Sequence, residues 1–324
     1  MNSAHPTRPS TAAVALALGL VYVVWGSTYL AIAIMVETLP PLLAAGLRFV
    51  IAGLLMLGAL RIHARFRPAS ESAERPTAAH WRTAIVVGTL LLLGGNGGVV
   101  LAEQLIPSGV AAVLIATVPI WLAVFDAGLN RRRPSMLAIG GLAAGLIGVA
   151  ILLAPVDQDL ALDPLGIGLV VMSAISWAAG SLYARRAPLP RSPFLGTGIE
   201  MLAGGVVLLL AGTLLGELGR TEIAAFSLRS LVAFAYLTLI GSIVGYTAYT
   251  WLLARVPVTV AGTYAYVNPI VAVALGAMLL SEPITPRTLV AATIIIGAVV
   301  AIVSGRPREV GARPPGKPAM LEAE

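Results

Sequence analysis

Long apolar runs, separated by short polar segments, dominate the sequence. Ten of these runs approach the length of about 20 residues that an α-helix needs to cross a hydrocarbon core of roughly 30 Å. They predict membrane spans at 13–35, 41–60, 83–102, 107–127, 134–153, 165–184, 194–215, 231–252, 257–280 and 288–304. Apolar residues are continuous rather than alternating, which favours helices over the strands of a transmembrane barrel. The sequence therefore predicts an all-α polytopic membrane protein.

The run from 256 to 275 is unusual because it combines prolines with polar side chains. The polar members are Thr259, Thr263, Tyr264, Tyr266 and Asn268, and the prolines are Pro257 and Pro269. Polar groups at mid-membrane depth are costly and rarely face lipid. A proline at this depth also frees a backbone carbonyl, which a neighbouring group or a cavity must satisfy. We therefore expect this helix to face a cavity.

The same pattern occurs 150 residues earlier, in the run from 106 to 125. There Pro107 and Pro119 match Pro257 and Pro269. Further matches pair Trp25 with Trp177 and Gly95 with Gly245. An unusual helix repeated at a nearly fixed offset indicates two copies of one unit. Because each unit has an odd number of spans, the second copy enters the membrane from the opposite side. The sequence thus predicts two inverted five-helix repeats, an architecture of transporters.

The basic residues of the loops predict the orientation of the chain. With the N-terminus inside, seventeen Lys and Arg residues fall on the inner side and three on the outer side. This bias follows the positive-inside rule and places both termini in the cytoplasm. The predicted organisation is a cytoplasmic N-terminus (1–12), a first repeat (13–153), an extracytoplasmic linker (154–164), a second repeat (165–304) and a disordered cytoplasmic tail (305–324).

Composition agrees with this interpretation and excludes some functions. The 324 residues are 58% hydrophobic and 11% charged, against about 25% charged in soluble domains. The net charge of +6 comes from residues that set orientation, so it does not indicate nucleic-acid binding. The chain has no cysteine, and we interpret its first apolar run as a retained helix rather than a signal peptide.

The sequence resembles the EamA-type ten-helix carriers of the drug/metabolite transporter superfamily, over about residues 14–304. The resemblance rests on the runs Trp25-Gly26-Ser27-Thr28-Tyr29 and Leu47-Arg48-Phe49, on the proline-bracketed helices 4 and 9, and on the turn Ser281-Glu282-Pro283. It implies a bacterial inner-membrane exporter of amino acids or other small metabolites. It also implies a central cavity between helices 1, 3, 4, 6, 8 and 9, with helices 5 and 10 at the periphery. Within the superfamily the chain is most similar to amino-acid exporters, with the aromatic amino-acid branch favoured.

Helical spacing selects a set of residues for one mid-membrane pocket, where aromatic rings would hold an apolar side chain. The candidate substrate-binding residues are Trp25, Tyr29, Asn96, Trp177, Ser181, Tyr246, Tyr249, Thr263, Tyr264 and Asn268. The candidate kink or gating positions are Pro119, Pro269, Gly95 and Gly245. Each has a plainer alternative, since hydroxyls in membrane helices often bond to the backbone and small residues often serve helix packing.

Two charged residues, Arg48 and Glu200, lie within predicted spans at equivalent repeat positions. Each is a possible gate or proton-linked group. The alternative is a side chain that snorkels to the surface, and we favour that alternative for Arg48. Since the topology places them on opposite sides of the membrane, we expect that they do not pair with each other. We expect Glu103, at a span end, to be solvated.

Three other functions compete with that of a secondary carrier. The three histidines, His5, His63 and His80, lie outside the spans, which leaves an intramembrane enzyme without a base or a metal site. An ion channel needs rings of charge or carbonyl filters. Direct ATP use needs a phosphate-binding loop, and its motif is absent from the sequence. We therefore expect no cofactor, a small-molecule substrate, a surrounding lipid bilayer and a monomer. A multidrug, nucleoside or sugar-type carrier stays open as an alternative.

Overall fold

The computed structural model describes residues 10–66, 74–106, 111, 114–130, 134–153, 163–280 and 286–305. The first half contains α1 (Thr11–Val36), α2 (Pro41–Arg65), α3 (Ala78–Ala102), α4 (Val118–Asn130) and α5 (Met136–Leu153). The predicted start of span 4, most of the linker, the turn at 281–283 and the tail lie outside the described residues.

The second half contains α6 (Pro164–Ala184), α7 (Pro193–Leu214), α8 (Leu228–Leu253), α9 (Tyr264–Leu280) and α10 (Pro286–Ser304). Two 3₁₀ turns, Leu218–Arg220 and Ile223–Ala225, connect α7 to α8, and a helical turn, Val258–Ala261, precedes α9. The described residues contain helices and no strand. Six helices, α1, α2, α3, α6, α7 and α8, are long and apolar enough to cross a membrane, and α4, α5 and α10 contain shorter apolar segments. The all-helical fold is thus confirmed, while the total of ten spans and the side of each terminus stay predictions.

Helix packing repeats between the two halves. Helix α2 packs along α7 and α5 packs along α10, so each of these pairs joins equivalent helices of the two repeats. Helix α1 packs against α9 in the same way that α6 packs against α4. Helix α3 lies between α6 and α7, just as α8 lies between α1 and α2. The contacts therefore have an internal twofold relation, with α5 and α10 set together at one side.

Glycines allow α2 and α7 to approach closely. A side-chain carbon at Gly46 would lie 2.9 Å from the Gly205 carbonyl oxygen, and one at Gly53 would lie 2.8 Å from the Gly198 carbonyl oxygen. Small residues at such crossings let helix backbones pack directly in a membrane protein. Gly46 corresponds to Gly198 in the repeat, and Gly53 to Gly205. Each glycine therefore contacts the counterpart of the other, which places the twofold relation at this crossing.

A glutamate from each half caps the helix that begins near it in the other half. Glu217 accepts the backbone N–H groups of Leu42 and Leu43 at 3.1 and 2.9 Å, at the start of α2. Glu74 accepts those of Arg191 and Ser192 at 2.9 and 3.0 Å, at the start of α7. Carboxylates stabilise the first turn of a helix by pairing its free N–H groups and its positive dipole end. The two caps therefore stabilise the N-terminal ends of α2 and α7, and each cap comes from the other half of the chain.

Candidate functional site

A cavity of about 90 Å³ lies between helices of both halves. Its lining combines aromatic rings, amides, hydroxyls and one cation. The described residues that line it are Trp25, Thr28, Tyr29, Ile32, Arg48, Phe49, Leu92, Gly95, Asn96, Val99, Ile115, Val118, Ser173, Trp177, Gly241, Tyr246, Tyr264 and Asn268. They come from α1, α2, α3, α4, α6, α8 and α9 and from the segment before α4. The cavity is therefore shared by the two repeats.

Four aromatic rings meet at one end of this cavity and form the aromatic cluster of Trp25, Trp177, Tyr249 and Tyr264. The ring of Trp25 lies 5.4 Å from Trp177, 5.0 Å from Tyr249 and 4.9 Å from Tyr264. These separations are typical of edge-to-face and tilted aromatic contacts. The Trp177 indole N–H donates to the Tyr249 hydroxyl at 2.9 Å, and the Trp25 indole N–H donates to the Gly241 carbonyl at 3.2 Å. The cluster thus has fixed ring positions as well as apolar area.

Polar side chains gather beyond the cluster. Asn268, on α9, is 1% exposed, and neither atom of its amide has a hydrogen-bond partner of normal geometry among the described residues. The Tyr29 hydroxyl is nevertheless close enough to interact with it. Asn96 accepts a hydrogen bond from Arg48 at 2.8 Å. Because buried polar groups in proteins are normally paired, the incompletely paired amide of Asn268 marks a place where a ligand group could bind.

Arg48 is a cavity residue and not a surface anchor. It is 4% exposed, its guanidinium bonds to Asn96, and it lies 4.5 Å from the centre of the Phe49 ring. Its Nε has no partner among the described residues. The snorkelling interpretation was therefore wrong, because a polar partner and an aromatic face inside the protein hold the side chain there.

Glu103, at the end of α3, also departs from the expectation of a solvated side chain. Both of its carboxylate oxygens are buried and lack a hydrogen-bond partner in the described part of the chain. It interacts electrostatically with Arg48 and with the Tyr29 hydroxyl. Depth estimated from the span end failed here because the carboxylate turns inward toward Arg48. Arg48, which lines the cavity, and Glu103, which does not, together form what we call the charged end of the cavity.

Arg48 and Glu200 do not contact each other, in agreement with the expectation from topology. Glu200 is 3% exposed and accepts the Tyr246 hydroxyl at 3.2 Å. The two arrangements are repeat-related, since Asn96 corresponds to Tyr246 as Arg48 corresponds to Glu200. The first half therefore has an Arg–Asn pair where the second half has a Glu–Tyr pair. Of these four residues, Glu200 alone does not line the cavity.

Helical irregularities surround the cavity at equivalent places. The segments Gly88–Gly97 of α3 and Leu237–Tyr246 of α8 are π-helical. They carry the cavity residues Asn96 and Tyr246 near their ends. π-Helical turns are rare and often occur at functional sites, because the wider turn redirects side chains. At Gly262 and Thr263 a turn also interrupts the regular helix before α9 begins.

The structure places several of the other predicted residues away from the cavity lining. Ser181 and Tyr249 bond to each other at 2.7 Å, behind Trp177. Thr263 bonds to the Tyr22 hydroxyl at 2.6 Å. Gly245 contacts the Trp25 ring, where a side-chain carbon would lie 2.5 Å from the indole nitrogen. None of these four residues lines the cavity, and Tyr249 is the member of the aromatic cluster that lies outside the lining.

The two kink prolines have different surroundings. Pro119 is the second residue of α4, where a proline fits the first helical turn. Pro269 lies inside α9, next to Asn268. Gly95, by contrast, does line the cavity. Lining residues that sequence reasoning missed, such as Ile115, Val118 and Ser173, are small or apolar and have no distinguishing pattern.

A second cavity, of about 620 Å³, lies beyond the charged end. It is bounded by the α1–α2 connection, by Leu101 and Gln104 near Glu103, and by the segment between α7 and α8. The region around Glu103 is thus flanked by open space, whereas the aromatic rings pack against one another at the other end. Among the described residues no cluster of His, Asp and Glu has a geometry for a metal ion.

A bundle of apolar helices with internal twofold packing and a mixed aromatic and polar chamber between its halves is typical of a membrane transporter. The chain belongs to the EamA-like transporter family, whose model matches residues 12–154 and 164–304. The predicted family is thereby confirmed. Because the family consists of transporters, the chain is a transporter and not an enzyme.

Individual proteins agree with this assignment. The chain is 40% identical over 294 residues to the uncharacterized inner membrane transporter YedA of Escherichia coli K12, covering 90% of each chain. It is 24% identical to a probable amino-acid metabolite efflux pump of Salmonella typhimurium, covering 88% of this chain and 93% of that one. A crystal structure with 21% identity superposes with a TM-score of 0.69, covering 91% of this chain and 98% of the other, which supports the fold alone.

Proposed function

We propose that the protein exports small metabolites across the bacterial inner membrane by alternating access, that amino acids are its substrates, and that aromatic amino acids are preferred. The observation that carries this proposal is the composition of the cavity. Trp25, Trp177 and Tyr264 offer ring faces at one end, and Asn268 offers an unpaired amide next to them. Rings suit a flat apolar side chain, while an amide suits the polar backbone groups of an amino acid.

The small volume of the cavity supports a mechanism with moving helices. A cavity of about 150 Å³ can hold a benzene molecule, so the 90 Å³ observed here is too small for an aromatic amino acid. Substrate entry therefore requires that the halves separate around the cavity. The π-helical segments Gly88–Gly97 and Leu237–Tyr246 are suited to this movement, since their backbone bonding departs from the regular helix.

The predicted topology gives the two ends of the cavity separate roles. With both termini in the cytoplasm, the aromatic cluster lies on the cytoplasmic side and Glu103 lies toward the outside. In this orientation the cluster closes the cytoplasmic path, and the cavity of about 620 Å³ belongs to the extracytoplasmic path. Similarity to a probable amino-acid metabolite efflux pump favours export and an amino-acid substrate.

Counterflow into proteoliposomes tests the function. A panel of labelled aromatic, branched and small polar amino acids would be measured with and without a pH gradient. We expect saturable transport of the aromatic members without a gradient. If no amino acid of the panel is transported, the amino-acid proposal is refuted, and nucleosides, sugars or cationic drugs become the favoured substrates. If transport does need the gradient and Glu200→Gln leaves it intact, Glu200 has no proton-linked role.

Trp177→Ala tests the aromatic end of the cavity. Because an aromatic pair contributes about 0.5–1.5 kcal/mol beyond its buried area, we expect the KM for phenylalanine to rise roughly 3- to 10-fold. Trp251→Ala is the matched control, since its ring lies under Arg255 and outside the cavity lining. Equal KM values for the two variants would contradict a role of Trp177 in binding the substrate ring.

A further inference from the structure

The charged end of the cavity contains groups that the fold leaves without partners. Arg48 Nε is a buried donor without a partner, and the Asn268 amide, although it interacts with the Tyr29 hydroxyl, has no hydrogen bond of normal geometry to a described residue. Both residues are more than nine-tenths buried and both line the cavity. Leaving such groups unpaired costs free energy, so an ordered partner is expected at this place.

The positive charge of Arg48 indicates the chemistry of the ligand that would pair with these groups. Arg48 is the one charged side chain among the described residues that line the cavity, and no carboxylate of the described chain forms a salt bridge with it. A planar guanidinium with a free Nε–H is well matched to a carboxylate, which can accept from two of its nitrogens at once. The lining therefore favours a ligand with a carboxylate group at Arg48.

Glu103 offers this ligand two buried acceptors. Its two buried oxygens have no hydrogen-bond partner among the described residues, and it interacts electrostatically with Arg48 and with Tyr29. A carboxylate buried without a partner is costly, and a nearby cation that donates to it offsets this cost. A molecule that has both a carboxylate and an ammonium group adds no net charge, and its ammonium group would interact favourably with Glu103.

We infer that Arg48 and Glu103 recognise the two charges of a zwitterionic substrate, with the carboxylate bound by Arg48 and Asn268 and the ammonium oriented toward Glu103. The aromatic cluster then receives the side chain at the opposite end of the cavity. This inference rests on the proposed transport of amino acids and adds the residues that select the substrate class. Arg48 is a binding residue in this scheme, and Glu103 determines specificity for the cationic group.

Competition binding with fragments of phenylalanine tests the assignment. The full chain in detergent would bind labelled L-phenylalanine, and two competitors would displace it. One competitor, 3-phenylpropionate, has the carboxylate without the ammonium, and the other, phenethylamine, has the ammonium without the carboxylate. Arg48→Gln should weaken phenylpropionate roughly 10- to 100-fold, the loss expected for a charged hydrogen bond, and leave phenethylamine unchanged. Glu103→Gln should weaken phenethylamine and leave phenylpropionate unchanged or improved.

Matched controls remove one charge outside the cavity. Arg255→Gln and Asp163→Asn change residues that line neither cavity, and Asn keeps the capping role of Asp163 at the start of α6, so both variants should bind all three compounds like the wild type. Arg48→Lys keeps the charge but loses the planar set of donors. It should weaken phenylpropionate selectively and provides the comparison if Arg48→Gln does not fold.

The outcomes separate the inference from the proposed function. If Arg48 and Glu103 were merely structural partners, their variants would weaken the binding of both competitors alike. That result would overturn the inference, while transport of phenylalanine by the wild-type protein would still support the proposed function. If the wild-type protein binds and transports no amino acid, the proposed function fails and the inference fails with it.

Discussion

Replacing glycine by alanine at two positions of α2 should change stability in opposite directions. At Gly53 a new side-chain carbon would lie 2.8 Å from the Gly198 carbonyl oxygen and 2.8 Å from the Leu202 backbone nitrogen. Both atoms belong to the backbone of α7, so no side-chain rotation can relieve the contact. At Gly58, on the same helix, the new carbon would meet nothing within 4 Å. Gly58→Ala is therefore a control with the same chemistry.

The expected magnitude follows from two opposing effects. Alanine is more favourable than glycine inside a helix by about 0.5–1 kcal/mol, and this benefit applies at both positions. At Gly53 the two helices must also move apart by roughly half an ångström, which weakens the dispersion contacts along their crossing. Overpacking of this kind costs about 1–3 kcal/mol. We therefore expect a net loss of about 1–2 kcal/mol for Gly53→Ala and a gain of up to about 1 kcal/mol for Gly58→Ala.

Thermal stability of the purified protein measures both changes. After heating in detergent, the fraction that still elutes as a single species gives an apparent Tm. Gly53→Ala should lower this Tm by about 3–6 °C, and Gly58→Ala should leave it unchanged or raise it slightly. Gly205→Ala, at the equivalent position of α7, should behave like Gly53→Ala, since its new carbon would lie 2.7 Å from the Val50 backbone nitrogen. Equal Tm values for Gly53→Ala and Gly58→Ala would refute the close crossing of α2 and α7.

Two further predictions concern buried and capping carboxylates. Tyr246→Phe removes the hydroxyl that donates to Glu200 and should destabilise the protein by about 1–3 kcal/mol, measured as a lower Tm, while Tyr183→Phe, at a more exposed position, should not. Partial burial raises the pKa of Glu74, but the N–H groups of Ser192 and Arg191, with nearby charges, lower it by more. The stabilisation by this cap is therefore complete above the ordinary pKa of about 4.5 and is lost as the pH falls below it. Glu74→Gln should flatten the decrease in Tm between pH 5.5 and pH 3.5, and an unchanged decrease would contradict the cap.

Much of the fold could be predicted because membrane spans and repeats are visible in one dimension. The apolar runs predict the helices, and the nearly constant spacing between equivalent residues, such as Trp25 and Trp177, predicts the repeat. The crosswise contacts of Gly46 with Gly205 and of Gly53 with Gly198 could not be predicted. Equivalence in sequence does not define which surfaces meet in space, and only the packed structure provides that register.

The candidate site was predictable in part for similar reasons. Trp25, Trp177 and Asn268 stood out because large or polar side chains are unusual in the middle of apolar runs. Ser181 and Tyr249 share those features but lie behind Trp177, since a helical face is wider than the part of it that reaches a cavity. Glu103 could not be predicted as a buried residue near the cavity, because its position at a span end suggested contact with water. The π-helical segments have no pattern that distinguishes them from ordinary glycine-containing helices.

The repeat explains how one scaffold can hold a substrate with two different ends. Trp25 and Trp177, which are equivalent in the two halves, meet directly with ring centres 5.4 Å apart. Where the two halves differ, the cavity becomes asymmetric, since Arg48 lines it and its repeat counterpart Glu200 does not. A twofold scaffold with identical residues would present the same chemistry to both ends of a ligand. The difference between Arg48 and Glu200 therefore supplies a cation on one side of the cavity only. Because of this asymmetry, substitution of Arg48 can test whether that side of the cavity binds the carboxylate of the substrate.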